Sequence, residues 1–349
     1  MRTNFKSLIN SALSEDMGID FGSHNTLIYI LNKGIVLNEP SYIALDTRTN
    51  ELVAIGTKAY EMLGKNPKFT KIVCPVENGV VTDIDLAVRM LSEFIKQVYK
   101  KTLLKPRIMA SVPSDLTEIE RHSMTEVLRL SGARAVYLIN STLAAAIGAG
   151  CDISIARGML VANIGSGRSD VSSISLGRSV VGKSIRTAGN TFTYDIINYI
   201  RNTHNINIGF LTAENIKKTI GCAYPLEKLA SINISGCDNT SGLPRFISIN
   251  SEEIRECLMP SVMKISNLIK NVIEDTPTEL ISDITDDGIL ITGGGAELRG
   301  LDKFLRTDLG LKVYVTENMQ GCVVNGLSQE LLKLDLPDAQ GGKFYYAID

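Results

Sequence analysis

Two short segments combine a polar residue at a strand end, a glycine-serine turn and an alternating strand. The first, Ile19-Asp20-Phe21-Gly22-Ser23, opens a strand–turn–strand unit ending near Ile30. The second, Ala162-Asn163-Ile164-Gly165-Ser166-Gly167, continues as Asp170-Val171-Ser172-Ser173-Ile174-Ser175-Leu176. A turn of this composition can aim successive backbone N–H groups into one concavity, which binds an anion without a basic side chain. Glycine suits it because, lacking Cβ, it tolerates positive φ. Two such turns on facing domains would clamp a polyphosphate, and a strand-end carboxylate such as Asp20 would hold a hydrated Mg²⁺ beside it. Taken singly, each turn also reads as an ordinary hairpin. A third cluster, Gly288-Ile289-Leu290-Ile291-Thr292-Gly293-Gly294-Gly295-Ala296, runs a buried-type strand into three glycines and then a helix signal. Such a turn lets a flat ring lie against backbone where any Cβ would intrude.

These residues need a frame of alternating strands and helices, and the chain supplies one, of α/β class. Strand-type runs include Met17–Ile19, Thr26–Leu31, Ile108–Val112, Val136–Ile139, Met159–Ala162 and Gly288–Ile291. Leu86, Met90, Phe94 and Val98 recur at about one turn and predict a helix over Leu86–Tyr99. Helices are also expected over Asp115–Leu130, Phe192–Asn202 and Ser251–Ile273, the last capped by Ser251 with Glu252 and Glu253. The two hairpin motifs, each followed by a similar strand-and-helix order, read as an internal repeat: two related domains facing each other.

The bulk properties agree. The 349 residues make roughly two domains. Hydrophobic residues at 44% and charged residues at 21% are ordinary for a globular chain and exclude wholesale disorder. A net charge of −2 argues against a nucleic-acid binder working through a broad basic surface. No apolar run reaches the length of a membrane span, and no signal peptide is evident, so a cytosolic protein is expected. Six cysteines and three histidines are scattered, without the spacing of a disulfide framework or a metal cluster.

In this order the three glycine motifs resemble the actin/Hsp70/sugar-kinase ATPase superfamily, and within it the bacterial actin family MreB and its Mbl-type paralogues. The resemblance runs from about Ile19 to about Leu332. Its most specific words are Gly34-Ile35-Val36-Leu37-Asn38-Glu39-Pro40-Ser41 and Ala144-Ala145-Ala146-Ile147-Gly148-Ala149-Gly150, with Ala223-Tyr224-Pro225 and Thr292 to Ala296. It implies two α/β domains around a cleft for ATP or ADP with Mg²⁺, each with an additional subdomain. Domain I would span 17–150 plus 320–349 and domain II 151–319. It further implies filaments on the inner face of the cell membrane that organise lateral cell-wall synthesis and so determine cell shape. Carried onto this chain, Asp20, Gly22, Ser23, His24 and Asn25 form the first phosphate loop, with Asp20 reaching the metal through water. Asn163, Gly165, Ser166 and Gly167 form the second. Glu214 and Lys217 contact ribose and base, although alone they read as a solvated helix face. Gly293, Gly294, Gly295 and Ala296 form the adenosine loop.

The departures fall where the chemistry needs side chains. The family's Asp-Ile-Gly-Gly-Gly-Thr is Asn163-Ile164-Gly165-Ser166-Gly167-Arg168 here, so an amide replaces a carboxylate and Arg168 replaces a small Thr, to reach phosphate or to point to solvent. The family's Glu-Glu-Pro-Met is Asn140-Ser141-Thr142-Leu143, and Ser141 stands where a Glu would orient the attacking water. Gly-Gly-Asp is Ala188-Gly189-Asn190, and Thr-Ala-Asn is Ser23-His24-Asn25. Carboxylates are therefore missing at Asn140, Ser141, Asn163 and Asn190 while Asp20 remains. Loss of a water-orienting group costs about 10²–10⁴ in rate. Nucleotide binding with slow or absent hydrolysis is expected.

Phe5, Leu8, Ile9, Ala12 and Leu13 share one helical face, with Arg2, Lys6, Ser7 and Asn10 elsewhere. Residues 1–16 are thus a candidate interfacial segment, a frayed terminus or a helix docked on its own domain. Leu103 and Leu104, between Lys100-Lys101 and Lys105, would either enter a headgroup layer or staple their loop. The family's partners are further copies of itself, paralogues with which it copolymerises, and membrane proteins of the elongation complex. Three alternatives stand beside the cell-shape filament. One is a pseudo-ATPase paralogue acting as copolymer or scaffold. A small-molecule kinase would need an acceptor-substrate carboxylate base near the cleft, and the sequence assigns none. An Hsp70-type chaperone would need a peptide-binding domain beyond Asp349. The tail Leu336–Asp349, with Phe344-Tyr345-Tyr346, either docks on the first domain or meets a partner.

Overall fold

The computed structural model of the chain describes residues 15–99, 104–334 and 345–348. In chain order, the first lobe contributes β1 (Met17–Phe21), β2 (Asn25–Ile30), β3 (Gly34–Pro40), β4 (Ile43–Asp46), β5 (Leu52–Ile55), α1 (Thr57–Glu61), β6 (Thr70–Val73), β7 (Val76–Glu77) and β8 (Val80–Val81). It continues with α2 (Ile84–Val98), β9 (Arg107–Val112), α3 (Glu118–Leu130) and β10 (Ala135–Asn140). A linking helix α4 (Ser141–Gly148) leads to β11 (Met159–Ile164), β12 (Ser169–Ser175), β13 (Arg178–Ile185), α5 (Gly189–His204), β14 (Ile206–Asn207), α6 (Phe210–Ile220), β15 (Ser231–Asp238) and β16 (Pro244–Asn250). Then come α7 (Ser251–Asp275), α8 (Thr278–Asp287), β17 (Ile289–Thr292), a 3₁₀ turn over Gly294–Glu297, α9 (Leu301–Leu309), β18 (Val313–Val315), α10 (Cys322–Lys333) and β19 (Tyr345–Ile348).

The repeat read from the hairpins extends through both main sheets. One runs β19-β10-β9-β1-β2-β3 and the other β13-β12-β11-β17-β18. In each, a central strand (β1 or β11) pairs antiparallel with the next strand and parallel with one arriving much later (β9 or β17). Each lobe adds a smaller sheet, β5-β4-β6 or β14-β15-β16. A single apolar core lies behind each sheet. Ile19, Ile28, Met90, Phe94, Ile108 and Val127 belong to the first, and Ala162, Val171, Phe192, Ile216, Val262 and Ile291 to the second.

A third core joins the lobes, in which α4 and α10 pack against each other and against Leu27, Met109, Val161 and Ile174. The two helices meet backbone to backbone. A Cβ on Gly326 would lie 1.8 Å from the Ala144 carbonyl oxygen, and one on Gly148 would lie 1.9 Å from that of Cys322. Cys322 Sγ donates to the Ala145 carbonyl at 3.1 Å, and Gln329 Nε2 to that of Ile147 at 3.2 Å.

Several local expectations are corrected. Asn250, not Ser251, caps α7: its side chain accepts from the N–H groups of Glu252 and Glu253, while Ser251 is buried and accepts from Ala230 N–H. The helix expected from Asp115 begins at Glu118, because Thr117 and Glu120 close a capping box there. On α2 the buried stripe is Ala87, Met90, Leu91, Phe94 and Ile95, with Leu86 and Val98 only half-buried at its ends. The helix signal after the glycines is first a 3₁₀ turn, and α9 starts later, at Leu301. The tail supplies β19, antiparallel to β10 with Val136 opposite Ile348, which answers the docking alternative for those residues. Residues 1–14 and 100–103, and with them Phe5, Leu8, Ile9, Leu13 and Leu103, lie outside the described residues. Leu104 is partly exposed, and its carbonyl accepts from the Tyr99 hydroxyl at 2.8 Å.

Overpacking a filled contact costs about 1–3 kcal/mol. Gly326→Ala, which forces a methyl into backbone, is expected to lower the unfolding free energy by about 3 kcal/mol in urea titrations. An unchanged midpoint would contradict the α4–α10 contact.

Candidate functional site

The two hairpin turns are closed by the same bond. Gly22 N–H donates to the Asn25 carbonyl at 3.1 Å, and Gly165 N–H donates to the Arg168 carbonyl at 2.9 Å. They abut across the gap between the lobes, where a Cβ on Gly167 would stand 2.8 Å from Ser23 Oγ and 2.9 Å from Asn78 N. Ser23 Oγ in turn accepts from Gly79 N–H at 3.0 Å. The first turn is braced by Ser41, whose hydroxyl donates to the Gly22 carbonyl at 2.6 Å. The second is braced by the start of α5, where Gly189 and Asn190 N–H donate to the carbonyls of Gly165 and Ser166 at 3.1 and 2.6 Å.

Between the turns lies a cavity of about 510 Å³. From the first loop Asp20, Gly22, Ser23, His24 and Asn25 line it, and from the second Asn163, Gly165, Ser166 and Gly167. Glu214 and Lys217 of α6 and Gly293, Gly294 and Gly295 complete the expected set. Ala296 is the exception, buried in the second core. Bareness has two uses in the glycine turn. Cβ atoms on Gly293 and Gly295 would strike the Asn163–Gly165 stretch at 2.4–2.6 Å, so these two glycines let the turn dock on the second loop. Gly294 has only Gln320 Cγ nearby, at 3.8 Å, and leaves its cavity face open to a flat ring.

Glu214 and Lys217 are not a solvated face. Both are largely buried and form an ion pair, and Lys217 Nζ also donates to the Gly189 carbonyl and Thr193 Oγ at 2.8 Å. Burial alone would raise the Glu214 carboxyl. The Lys217 ammonium, with hydrogen bonds from Lys217 and Thr193, holds it below the usual range. Burial also lowers the Lys217 ammonium, partly offset by Glu214. His24 packs edge-on against Tyr60 with ring centroids 5.3 Å apart, and burial holds its imidazole below the usual range despite Glu214.

Asp20 is half-buried at the cavity wall, and desolvation there raises its carboxyl, although Ser111 Oγ donates to it at 2.7 Å. It is not the sole carboxylate at this end of the cleft. Asp170 faces Asn163 across the β11–β12 ladder and lines the cavity, and burial pushes it up to about 6 against the pull of Arg168. Ser141 Oγ donates to its Oδ2 at 3.2 Å, and its Oδ1 is buried without a hydrogen-bond partner. Hairpin arithmetic reveals it, since a turn closed from Gly165 to Arg168 must set residue 170 opposite 163 on the same face. Of the four altered positions, Ser141, Asn163 and Asn190 line the cavity and Asn140 does not. Asn140 instead caps α4, its Oδ1 accepting from Thr142 N–H at 3.0 Å, a role amide and carboxylate share. Arg168 does not point to solvent: it lines the cavity wall. Its Nη2 lies 3.2 Å from Asp115 in the facing lobe, with the side chain 10% exposed.

A family model described as MreB/Mbl protein matches residues 14–338. The chain is 41% identical over 323 residues to the cell shape-determining protein Mbl of Bacillus subtilis, covering 92% of this chain and 97% of that one. It is 40% identical over 329 residues to the cell shape-determining protein MreB of Escherichia coli, covering 93% and 95%. Its structure is similar to the crystal structure of MreB5 of Spiroplasma citri bound to AMPPNP, with a TM-score of 0.89 and 36% identity over 94% of this chain and 99% of that one.

A carboxyl raised on folding contributes stability below its unfolded value of 3.8 and loses it as pH climbs through about 6. Asp170→Asn removes this penalty. The variant is expected to match the natural protein at pH 4 and to exceed it at pH 7.5 by on the order of 2–3 kcal/mol in urea unfolding. A difference independent of pH would contradict the assignment.

Proposed function

The chain belongs to the MreB/Mbl protein family, and from that premise we propose that it is a nucleotide-binding, filament-forming actin that helps determine bacterial cell shape. The observation that carries the reading is the pair of identically closed hairpin turns abutting across the cleft, flanked by the open face of Gly294. Backbone N–H groups of both turns hold a polyphosphate. Lys217 and Glu214 hold the ribose and base end. The crystal structure of the Spiroplasma citri relative with AMPPNP supports this use of the fold.

The donor set also suits a hard divalent cation. Asp20 and Asp170 would supply oxygen ligands at the cleft, and Asp170 Oδ1 is buried with no hydrogen-bond partner among the described residues. Mg²⁺ bound there with the nucleotide would offset phosphate charge. Hydrolysis is slow in this reading, because the first turn of α4 carries Ser141 in place of a carboxylate and Asp170 is already engaged by that serine. Nucleotide then acts mainly as a ligand of assembly. The same two features favour a second reading, a pseudo-ATPase paralogue that copolymerises with a competent relative. Attachment to the inner membrane face, through Leu104 and the segments flanking the described residues, would be weak per subunit and strengthened by avidity along a filament. There the filament would organise the proteins that build the lateral wall.

The test is phosphate release from ATP on anionic liposomes, with filament formation followed by sedimentation. The natural protein should bind AMPPNP and sediment with it, and Ser141→Glu/Asn163→Asp should release phosphate about 10²-fold faster or more. Equal turnover in both proteins would sink the slow-hydrolysis reading. Sedimentation only with a second MreB-type protein would select the copolymer.

A further inference from the structure

The guanidinium of Arg168 is under-used for a buried cation. Its side chain is nine-tenths buried on the cavity wall, yet Nε and Nη1 have no hydrogen-bond partner. Only Nη2 is engaged, 3.2 Å and 3.5 Å from the two carboxylate oxygens of Asp115 in the facing lobe. Asp115 is more than a third exposed, so screening weakens that pair. Buried N–H groups of a charged side chain left without acceptors are costly, and an anion entering the cleft would relieve the deficit. The planar fork suits phosphate oxygens in particular.

Position narrows which phosphate. Arg168 closes the second turn through its own carbonyl, and its charge is felt at Asp170, the carboxylate that Ser141 contacts. Ser141 is itself the first residue of α4 and lines the same cavity. Resting on the reading of the cleft as a nucleotide site, we propose that Arg168 is a cation supplied by the protein for the terminal phosphate, held on Asp115 until that phosphate displaces it. The chain thereby replaces part of the charge that Mg²⁺ provides, at the loop where an amide, Asn163, stands in place of a carboxylate. The Arg168–Asp115 pair also ties the second turn to the first lobe, so its exchange for phosphate alters the tie between lobes when a triphosphate binds.

Calorimetric binding of AMPPNP and ADP to the full chain, in Mg²⁺ and in EDTA, tests this without reference to turnover. Arg168→Thr should weaken AMPPNP about tenfold or more, with a smaller effect on ADP and a larger loss in EDTA. Asp115→Asn, which frees the guanidinium, should tighten AMPPNP about two- to fivefold. Natural protein that binds both nucleotides, with Arg168→Thr binding AMPPNP equally well, would overturn the proposal and leave the nucleotide reading intact. Natural protein that binds neither would overturn both. Should Arg168→Thr not fold, the Asp115→Asn result decides, and unchanged or weakened AMPPNP binding there counts against the proposal.

Discussion

Everything at the cleft depends on a place where two helices touch without side chains between them. The chain passes between its two main sheets through α4 and α10, and these cross with backbones in contact at Gly148 and Gly326. A close-packed crossing resists sliding, because any displacement drives carbonyl oxygens into neighbouring backbone. It therefore limits how the lobes sit relative to one another. Helix α4 also begins inside the cleft, with Ser141 as its first residue and Asn140 as its cap. The element that sets the lobe geometry thus carries the residue at the expected hydrolytic position.

From that constraint follows an unusual electrostatic balance. The cleft presents two carboxyls, buried Asp170 and half-buried Asp20, that desolvation shifts towards their neutral forms, and two cations already partnered by carboxylates. Lys217 is satisfied by Glu214, Thr193 and the Gly189 carbonyl, and so serves as a fixed part of the wall. Arg168 is satisfied at one nitrogen and is available to a ligand.

Much of this was legible in the chain because the relevant signals are local. The strand–turn–strand motifs around Gly22 and Gly165 imply both the repeat and the phosphate-binding geometry, since a hairpin's closing bond and register follow from its own few residues. The glycine cluster at Gly293–Gly295 was found for the same reason, although two of its glycines serve docking on the neighbouring loop. The cap of α7 lies one residue before the expected Ser251, because Asn250 and Ser251 are both competent caps and Ser251 is engaged by Ala230.

What the amino-acid sequence determined by itself was the α/β class, the duplicated hairpins, the family and most of the cavity wall. The class and the hairpins rest on periodicity and on turn chemistry, which act within a few residues, whereas the family and the cavity wall rest on the resemblance of the motifs and their order. Only the tertiary structure decided that Asn140 is a helix cap, that Lys217 and Glu214 are a buried pair, and that Arg168 reaches across to Asp115. Each of those roles depends on which distant backbone or carboxylate arrives beside the side chain. That is set by the packing of whole sheets and helices, to which no local pattern of residues is sensitive.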